Sequence, residues 1–288
     1  MPNPAGRDPA DTAPASTAPA GTGSAAVPAV QHLVVRYAKR GKMRFASHRD
    51  VARAFERGVR RAGLPIAYSA GFTPHPKISY AGGAPTGVAS EAEYLSLALT
   101  AWQDGAQVCR RLNAALPDGI DVIDVAEDAG GVGQPSGSGS SGGTSSSGFA
   151  HLEASEWRMV LPGVAPEEAR RAVAGFLARA EAPVERRRDK DVRRVDARAA
   201  VVEMTVLEKA GLDQAVPGTD VAEAGSEGCA ILRMVVLHTA PAVRPEDIVA
   251  VLREQDGIAP SSPPMITRLA QGQRAQLTGH ALAGKGAS

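Results

Sequence analysis

Cysteine is nearly absent. Cys109 and Cys229 are the only two in 288 residues, and neither sits in a CxxC or CxxxC spacing. A zinc site or iron–sulfur cluster needs several such ligands close together, and a disulfide framework needs several pairs, so the chain supplies neither by itself. Aromatic residues are scarce at 4%, against 43% hydrophobic residues overall, which leaves a core to be built from Ala, Val and Leu. No apolar run approaches the roughly 20 residues of a membrane helix. The opening residues, MPNPAGRDPADTAPAS, lack the charged start and apolar stretch of a signal peptide. These absences point to a cytoplasmic protein with no membrane association and no metal site of its own.

The formal net charge is +1, but the charge is unevenly spread. Ten Lys and Arg lie between Arg36 and Arg61, against the two acids Asp50 and Glu56. Such local asymmetry carries more information about partners than the total does.

Low-complexity segments divide the chain. Residues 1–30 are rich in Pro, Ala, Thr and Gly without periodicity and read as a disordered tail. A Gly/Ser stretch within 128–150 reads as a flexible linker, and 273–288 as a second tail. Between them lie two expected domains, 31–127 and 151–272, the second interrupted by a polar insert at 211–228. In the first, strands are expected at 32–38, 94–99 and 120–125, with short extended pieces at 66–69 and 77–81 around a Gly/Pro-rich loop. Helices are expected at 47–62 and 103–115. Ser47 with Asp50 three residues on reads as a capping box, and Gly63 and Pro65 as the stop. In the second, strands are expected at 156–161, 201–207, 231–238 and 265–269. Helices are expected at 166–180, which begins with Pro and two glutamates, and at 245–254. Residues 186–198, basic with interleaved acids, read as an exposed hairpin. The order β-α-β-β-α-β occurs twice, so the expected fold is α+β, an α/β sandwich of two tandem ferredoxin-like units.

On a helical wheel Arg49, Arg53, Arg57 and Arg60 share an arc of roughly 80°, with Ala52, Phe55, Val59 and Ala62 opposite. One reading is a solvated arginine face. The other is an anion-binding face, because a guanidinium fork fits phosphate or carboxylate; Lys39, Arg40, Lys42 and Arg44 extend the same field. His48, at the first helical position, falls on the core side of the wheel. It reads either as a hydrogen-bonded structural histidine or as an acid/base or metal ligand near neutral pH. In the loop Tyr68–Lys77, Gly71 permits an unusual backbone angle, while Pro74 and Pro76 fix the chain around His75. The loop, with Ser69, Phe72 and Lys77, is either a stiff connection or a mount for His75. Glu91 and Glu93 have the alternatives of pairing with the arginine stripe or holding a substrate cation.

The string Lys42-Met-Arg-Phe-Ala-Ser-His-Arg-Asp50, then Arg53, Arg60 and Pro65, then Ser69-Ala-Gly-Phe-Thr-Pro-His-Pro-Lys77, resembles a bacterial family of radical-SAM-linked proteins, a domain of unknown function (DUF 2344). The resemblance continues through Pro85-Thr-Gly87 and Ser90-Glu-Ala-Glu93, and more weakly through Asp196-Ala-Arg198 and Val243-Arg-Pro245. Ala81-Gly-Gly-Ala84 departs from the apolar-Pro-Leu-Pro run usual in the family. The resemblance implies association with a radical SAM protein, encoded nearby or fused. This chain has no CxxxCxxC, so the iron–sulfur cluster and S-adenosylmethionine are expected only in that partner.

The expected function is an accessory protein that binds an anionic substrate such as RNA through its basic first domain. One alternative is a stand-alone RNA-processing enzyme using His48, similar to the CRISPR repeat endoribonucleases, although the connection 255–264 holds one Gly where those enzymes have a glycine-rich loop. Another is a structural adaptor.

Overall fold

The computed structural model describes residues 27–128, 149–188, 191–207 and 229–278. The polar insert and most of the expected tails and Gly/Ser linker lie outside these residues. The first half runs β1 (Gln31–Lys39), a 3-10 turn (Gly41–Phe45), α1 (His48–Arg61), β2 (Ile78–Tyr80), β3 (Ala89–Leu99), α2 (Gly105–Ala115) and β4 (Ile120–Glu127). The second half runs β5 (Ala154–Pro162), α3 (Pro166–Ala178), β6 (Pro183–Arg188), β7 (Asp191–Asp196), α4 (Ala197–Ala200), β8 (Val201–Leu207), β9 (Cys229–Leu237), α5 (Pro245–Glu254), β10 (Met265–Gly272) and α6 (Arg274–Thr278).

Strands of the first half lie in the order β4-β1-β3, with β2 also paired to β3, and those of the second in the order β10-β5-β9-β8. Pairing within each half is antiparallel. The halves are joined by a short parallel pairing of β10 with β3, Thr267 opposite Ala89 and Arg268 opposite Ser90. The result is one eight-stranded mixed sheet, in which two strand edges that would otherwise be open are closed against each other. β6 and β7 form a separate hairpin, and Arg186 reaches from it to pair with Asp247 on α5.

Each half has its own core. Leu33, Val35, Phe55, Val59, Leu95, Leu97 and Leu112 pack together in the first; Trp157, Met159, Phe176, Leu232, Met234, Ile248 and Leu252 do so in the second. The far side of the sheet is also covered. Phe149 and Leu152 pack with Ala81, Val34 and Tyr94, and Leu277 of α6 packs with Ala154 and Val235. Ordered chain therefore extends past residue 272, where the sequence pattern closes the second unit. Coverage on both faces explains why β3 is buried along almost its whole length.

α1 owes its start to Ser47, whose side chain accepts from the Asp50 N–H while the Asp50 carboxylate accepts from the Ser47 N–H. Gly63, at φ +59°, ends it in the left-handed region that favours glycine. Its buried face is Val51, Ala54, Phe55, Gly58 and Val59, with Ala52 and Ala62 at the margin. Phe55 is fully enclosed and its ring meets Tyr37 edge-on at 4.7 Å. Phe55→Ala should lower stability by about 3–5 kcal/mol, seen as a lower urea midpoint with unchanged slope. Arg57→Ala, on the opposite face of the same helix, should stay within about 0.5 kcal/mol of wild type.

Candidate functional site

The arginine stripe is displayed to solvent. Arg49, Arg53, Arg57 and Arg60 are all exposed along α1. Among the described residues none has an acidic partner within ion-pair distance, and Arg60 donates only to the Glu56 carbonyl. Lys42 is exposed in the 3-10 turn, where the Arg44 guanidinium lies 4.7 Å from the ring of Phe45, itself 59% exposed. The hydrogen bonds from Ser47 hold the Asp50 carboxyl below the usual carboxylate range, with Arg53 and Arg49 assisting.

The Gly/Pro loop is a protruding hairpin. Tyr68 bridges Pro76, Ser69 N donates to the His75 carbonyl, and His75 N donates to Ser69 Oγ. Gly71 sits at φ +128° at the tip, which only glycine adopts without strain. Beside it Phe72 is fully exposed, and His75 and Lys77 are exposed as well. The hairpin leaves the sheet just after α1, at the bridge between Ile66 and Leu99. The stripe thus leads along α1 toward the Phe72 hairpin.

Two expectations need correction. His48 does not face the core. It is exposed, as are Arg49 and Asp50 beside it, so burial of α1 begins only at Val51, and its ring lies edge-on to Tyr80 at 5.2 Å. Tyr80 pairs with Leu95, while the His75 hairpin is rooted at Leu99, four residues or about 13 Å further along β3. The two histidines are attached at opposite ends of the helix. Nor do Glu91 and Glu93 meet the arginine stripe. A bulge between Lys39 opposite Ser90 and Tyr37 opposite Glu93 turns the two carboxylates to opposite sides of the sheet. Glu91 pairs with Arg40, whose Nη1 also lies 3.0 Å from Asp121. Glu93 pairs with Arg268 of β10 at 3.0 Å.

The Glu93–Arg268 pair is the centre of a buried ionic seam between the halves, with side chains only 4% and 7% exposed. Arg268 Nη1 also donates to the Gly82 carbonyl, and its guanidinium lies 4.7 Å over the Trp157 ring. Glu93 accepts from Ala84 N, while Lys39 Nζ donates to the Ala84 and Pro85 carbonyls. Burial pushes the Arg268 and Lys39 pKa values down, and Glu93 opposes that in both. Burial, with Glu93 and Tyr80 adding to it, pushes the Tyr37 phenol well up. This network fixes the loop 82–85 between the halves.

Beside that loop lies a cavity of about 360 Å³, walled by Gly82, Gly83, Trp157, Val243, Arg244 and Arg268 among others. His238 also borders it. Its Nδ1 donates to the Leu152 carbonyl at 2.7 Å, which leaves Nε2 to accept from Ser155 Oγ at 2.6 Å. Burial holds this imidazole below its ordinary value, and Arg268 adds to the shift. Sequence reasoning missed Arg268, Trp157 and His238, which lie in unremarkable strand patterns with no local motif around them.

Among the described residues no group of three His, Cys, Asp or Glu is arranged to hold a metal ion, and Cys109 is a free thiol. No helix among them is long and apolar enough to cross a membrane.

A family model described as an uncharacterized protein conserved in bacteria, DUF2344, matches residues 32–245. The chain belongs to this family. No curated protein matches the sequence. The DUF2344 segment contains the arginine stripe, the His75 hairpin and Glu93, while Arg268, the ion partner of Glu93, lies beyond it on β10.

Removing one member of the buried pair, by Glu93→Gln or Arg268→Met, should cost about 3–5 kcal/mol, because the survivor is stranded away from water. The double variant Glu93→Leu/Arg268→Met should recover most of the loss in a urea-denaturation cycle; simple additivity would show that the two groups are not coupled. The His238 shift has its own consequence. With its folded pKa below the unfolded value, the unfolded state takes up protons first as pH falls through about 6.5. Its contribution is therefore complete above that pH and lost below it. Between pH 7 and 5, His238→Gln should lose less stability than wild type, measured by thermal unfolding across the range.

Proposed function

We propose that the protein is an accessory component that holds RNA on the exposed face of α1 and presents it to a radical SAM partner. The iron–sulfur cluster and S-adenosylmethionine reside in that partner. The observation that carries the reading is the row of four exposed arginines without acidic partners on a helix of 14 residues. A row of this kind follows a phosphate backbone and gives affinity through counterion release. Phe45 and Phe72 add exposed rings near the two ends of the row, suited to sequence-tolerant stacking with unpaired bases.

The strand orders β4-β1-β3-β2 and β10-β5-β9-β8 support reading each half as a ferredoxin-like unit, the second carrying the β6–β7 hairpin as an insertion. RNA-binding sandwiches that use the open sheet face stack bases on aromatic pairs there. Here Tyr37 is enclosed against Phe55 and Tyr94 lies beneath Phe149 and Leu152, so the helix side is the better candidate. Catalysis by His48 is the weaker reading, since its ring makes no hydrogen bond among the described residues and stands apart from His75. The link to a radical SAM protein rests on the motif resemblance alone.

Labelled single-stranded RNA, titrated by fluorescence anisotropy between about 50 and 200 mM salt, should show affinity falling steeply with salt. Arg53→Glu with Arg57→Glu should weaken binding at least tenfold and flatten the salt slope. Phe72→Ala should weaken it by about 1–3 kcal/mol with little change in slope. Salt-insensitive binding, unchanged in the double arginine variant, would sink the RNA reading. Failure to co-elute with the radical SAM protein at micromolar concentration would sink the partnership.

A further inference from the structure

The cavity between the halves has the properties of a ligand site. Its volume of about 360 Å³ lies within the range occupied by small-molecule sites, and a junction between two packed units is a common place for one. Its walls are largely apolar, from Trp157, Val236, Leu237, Ala242 and Val243. The charged side chains that line it are both cationic, Arg268 at the back and Arg244 at the exposed rim. The Arg268 Nε is buried and has no hydrogen-bond partner. Arg244 and Pro245 are the N-cap and first residue of α5, so the positive end of a ten-residue helix faces the same space. Of the acids nearest these groups, Glu246 in the first turn of α5 is exposed and lines a neighbouring cleft instead, and two others are occupied. Glu93 is bound to Arg268 and Ala84 N, while Asp247 is bound to Arg186 and Arg244 N. His238 is neutral in its hydrogen-bonded tautomer and adds no negative charge.

From this geometry we infer that the cavity binds a nucleoside monophosphate, either free or as the terminal nucleotide of an RNA. The phosphate sits at the rim, on Arg244 and the α5 N-terminus, and the flat base enters the apolar interior beside Trp157. The cavity wall approaches the start of α1. Its wall residue Gly83 is close enough to His48, at the start of α1, that a Cβ added there would lie 3.8 Å from the His48 Nδ1. The assignment of a nucleotide, as against another flat anion, rests on the RNA reading of α1; the presence of an anion site does not.

Trp157 lines the cavity, whereas Trp102, the other tryptophan, is exposed at the head of α2. Trp102→Phe therefore leaves one fluorophore that reports on the site. Adenosine 5′-monophosphate and uridine 5′-monophosphate should quench it saturably at micromolar to millimolar concentrations, while adenosine and inorganic phosphate should bind at least tenfold more weakly. Gly82→Phe tests the loop that walls the cavity, at a position where an added Cβ meets nothing within 4 Å. It should abolish the quenching with unchanged thermal stability, and Arg244→Ala should weaken it at least fivefold. Absence of saturable quenching by either nucleotide, or quenching that survives Gly82→Phe, would overturn the proposal; so would phosphate or adenosine binding as tightly as the nucleotide. Arg53→Glu with Arg57→Glu separates the two readings. It should keep mononucleotide binding, with a 5′-phosphorylated oligonucleotide losing affinity only for its body. If mononucleotides fail to bind while the oligonucleotide still binds through α1, the cavity assignment alone falls. If mononucleotides bind and α1 holds no RNA, the RNA reading falls and the site is one for free nucleotides.

Discussion

The arrangement of the two halves depends on one buried ion pair, Glu93 with Arg268, placed where β3 meets β10. Only two residue pairs define the parallel contact between those strands, too few backbone hydrogen bonds to hold two domains in one orientation. The side chains around it add what the backbone does not. Two charges removed from water cost several kcal/mol each in desolvation, and attraction alone repays this only when the remaining donors and acceptors are also engaged. Here they mostly are: Arg268 also donates to the Gly82 carbonyl, and Glu93 accepts from Ala84 N. Lys39 completes the set by donating to the Ala84 and Pro85 carbonyls. A loop made of Gly, Gly, Ala and Pro has no polar side chains with which to anchor itself, so the surrounding charges hold its backbone. The cavity has its shape because that loop is held.

The bulge in β3 is what allows a single strand to serve both sides of the sheet. Without it Glu91 and Glu93 would share a face, two like charges in one low-dielectric layer. With it, Glu93 enters the seam and Glu91 turns to the far side to meet Arg40. That far side carries further pairing, since Arg233 binds Glu156 at 2.6 Å and approaches Glu203. The ionic groups are thus matched within each layer, which limits wrong registers as well as stabilising the right one, because a one-residue slip carries a strand's side chains to the opposite face of the sheet.

Much of this is local chemistry, and the local part was legible in the sequence. Ser47 with Asp50, Pro166 and Pro245 mark helix starts that the structure contains, and the basic stretch beginning near Arg186 is a hairpin as its pattern suggests. The arginine stripe is exposed because a spacing of three and four residues fixes a face whatever the fold. What escaped was nonlocal or depended on a single inserted residue. Glu93 and Arg268 are 175 positions apart, and nothing near either names the other. The period-two rule predicts that Glu91 and Glu93 act together, and a bulge invisible in composition reverses it. His48 was assigned by a wheel that assumes packing along the whole helix, whereas the buried face of α1 begins at Val51. The cavity was not legible at all, being made of residues from four separated segments.

The charge on α1 has a cost within the helix itself. Arg49, Arg53 and Arg57 follow one another at four-residue spacing, a like-charge arrangement that opposes helix formation by a few tenths of a kcal/mol per pair. Arg49 also lies in the first turn, where the helix dipole disfavours a cation. The Ser47–Asp50 box offsets that locally, and Arg60 and Arg61 sit favourably in the last turn. Toward the middle of the stripe the compensation is weaker: Arg53 feels Asp50, but neither Arg53 nor Arg57 is paired with Glu56, the sole acid within the helix body. The helix is therefore held by its apolar face, by Phe55 and Val59 above all, against a repulsion on its outer face. A polyanion lying along the row removes that repulsion on binding, so part of the free energy of association comes from relief of strain already present in the free protein. This couples the enclosed core beneath α1 to the surface above it: packing of Phe55 and Val59 keeps the segment helical, and the helix keeps the arginines in one row.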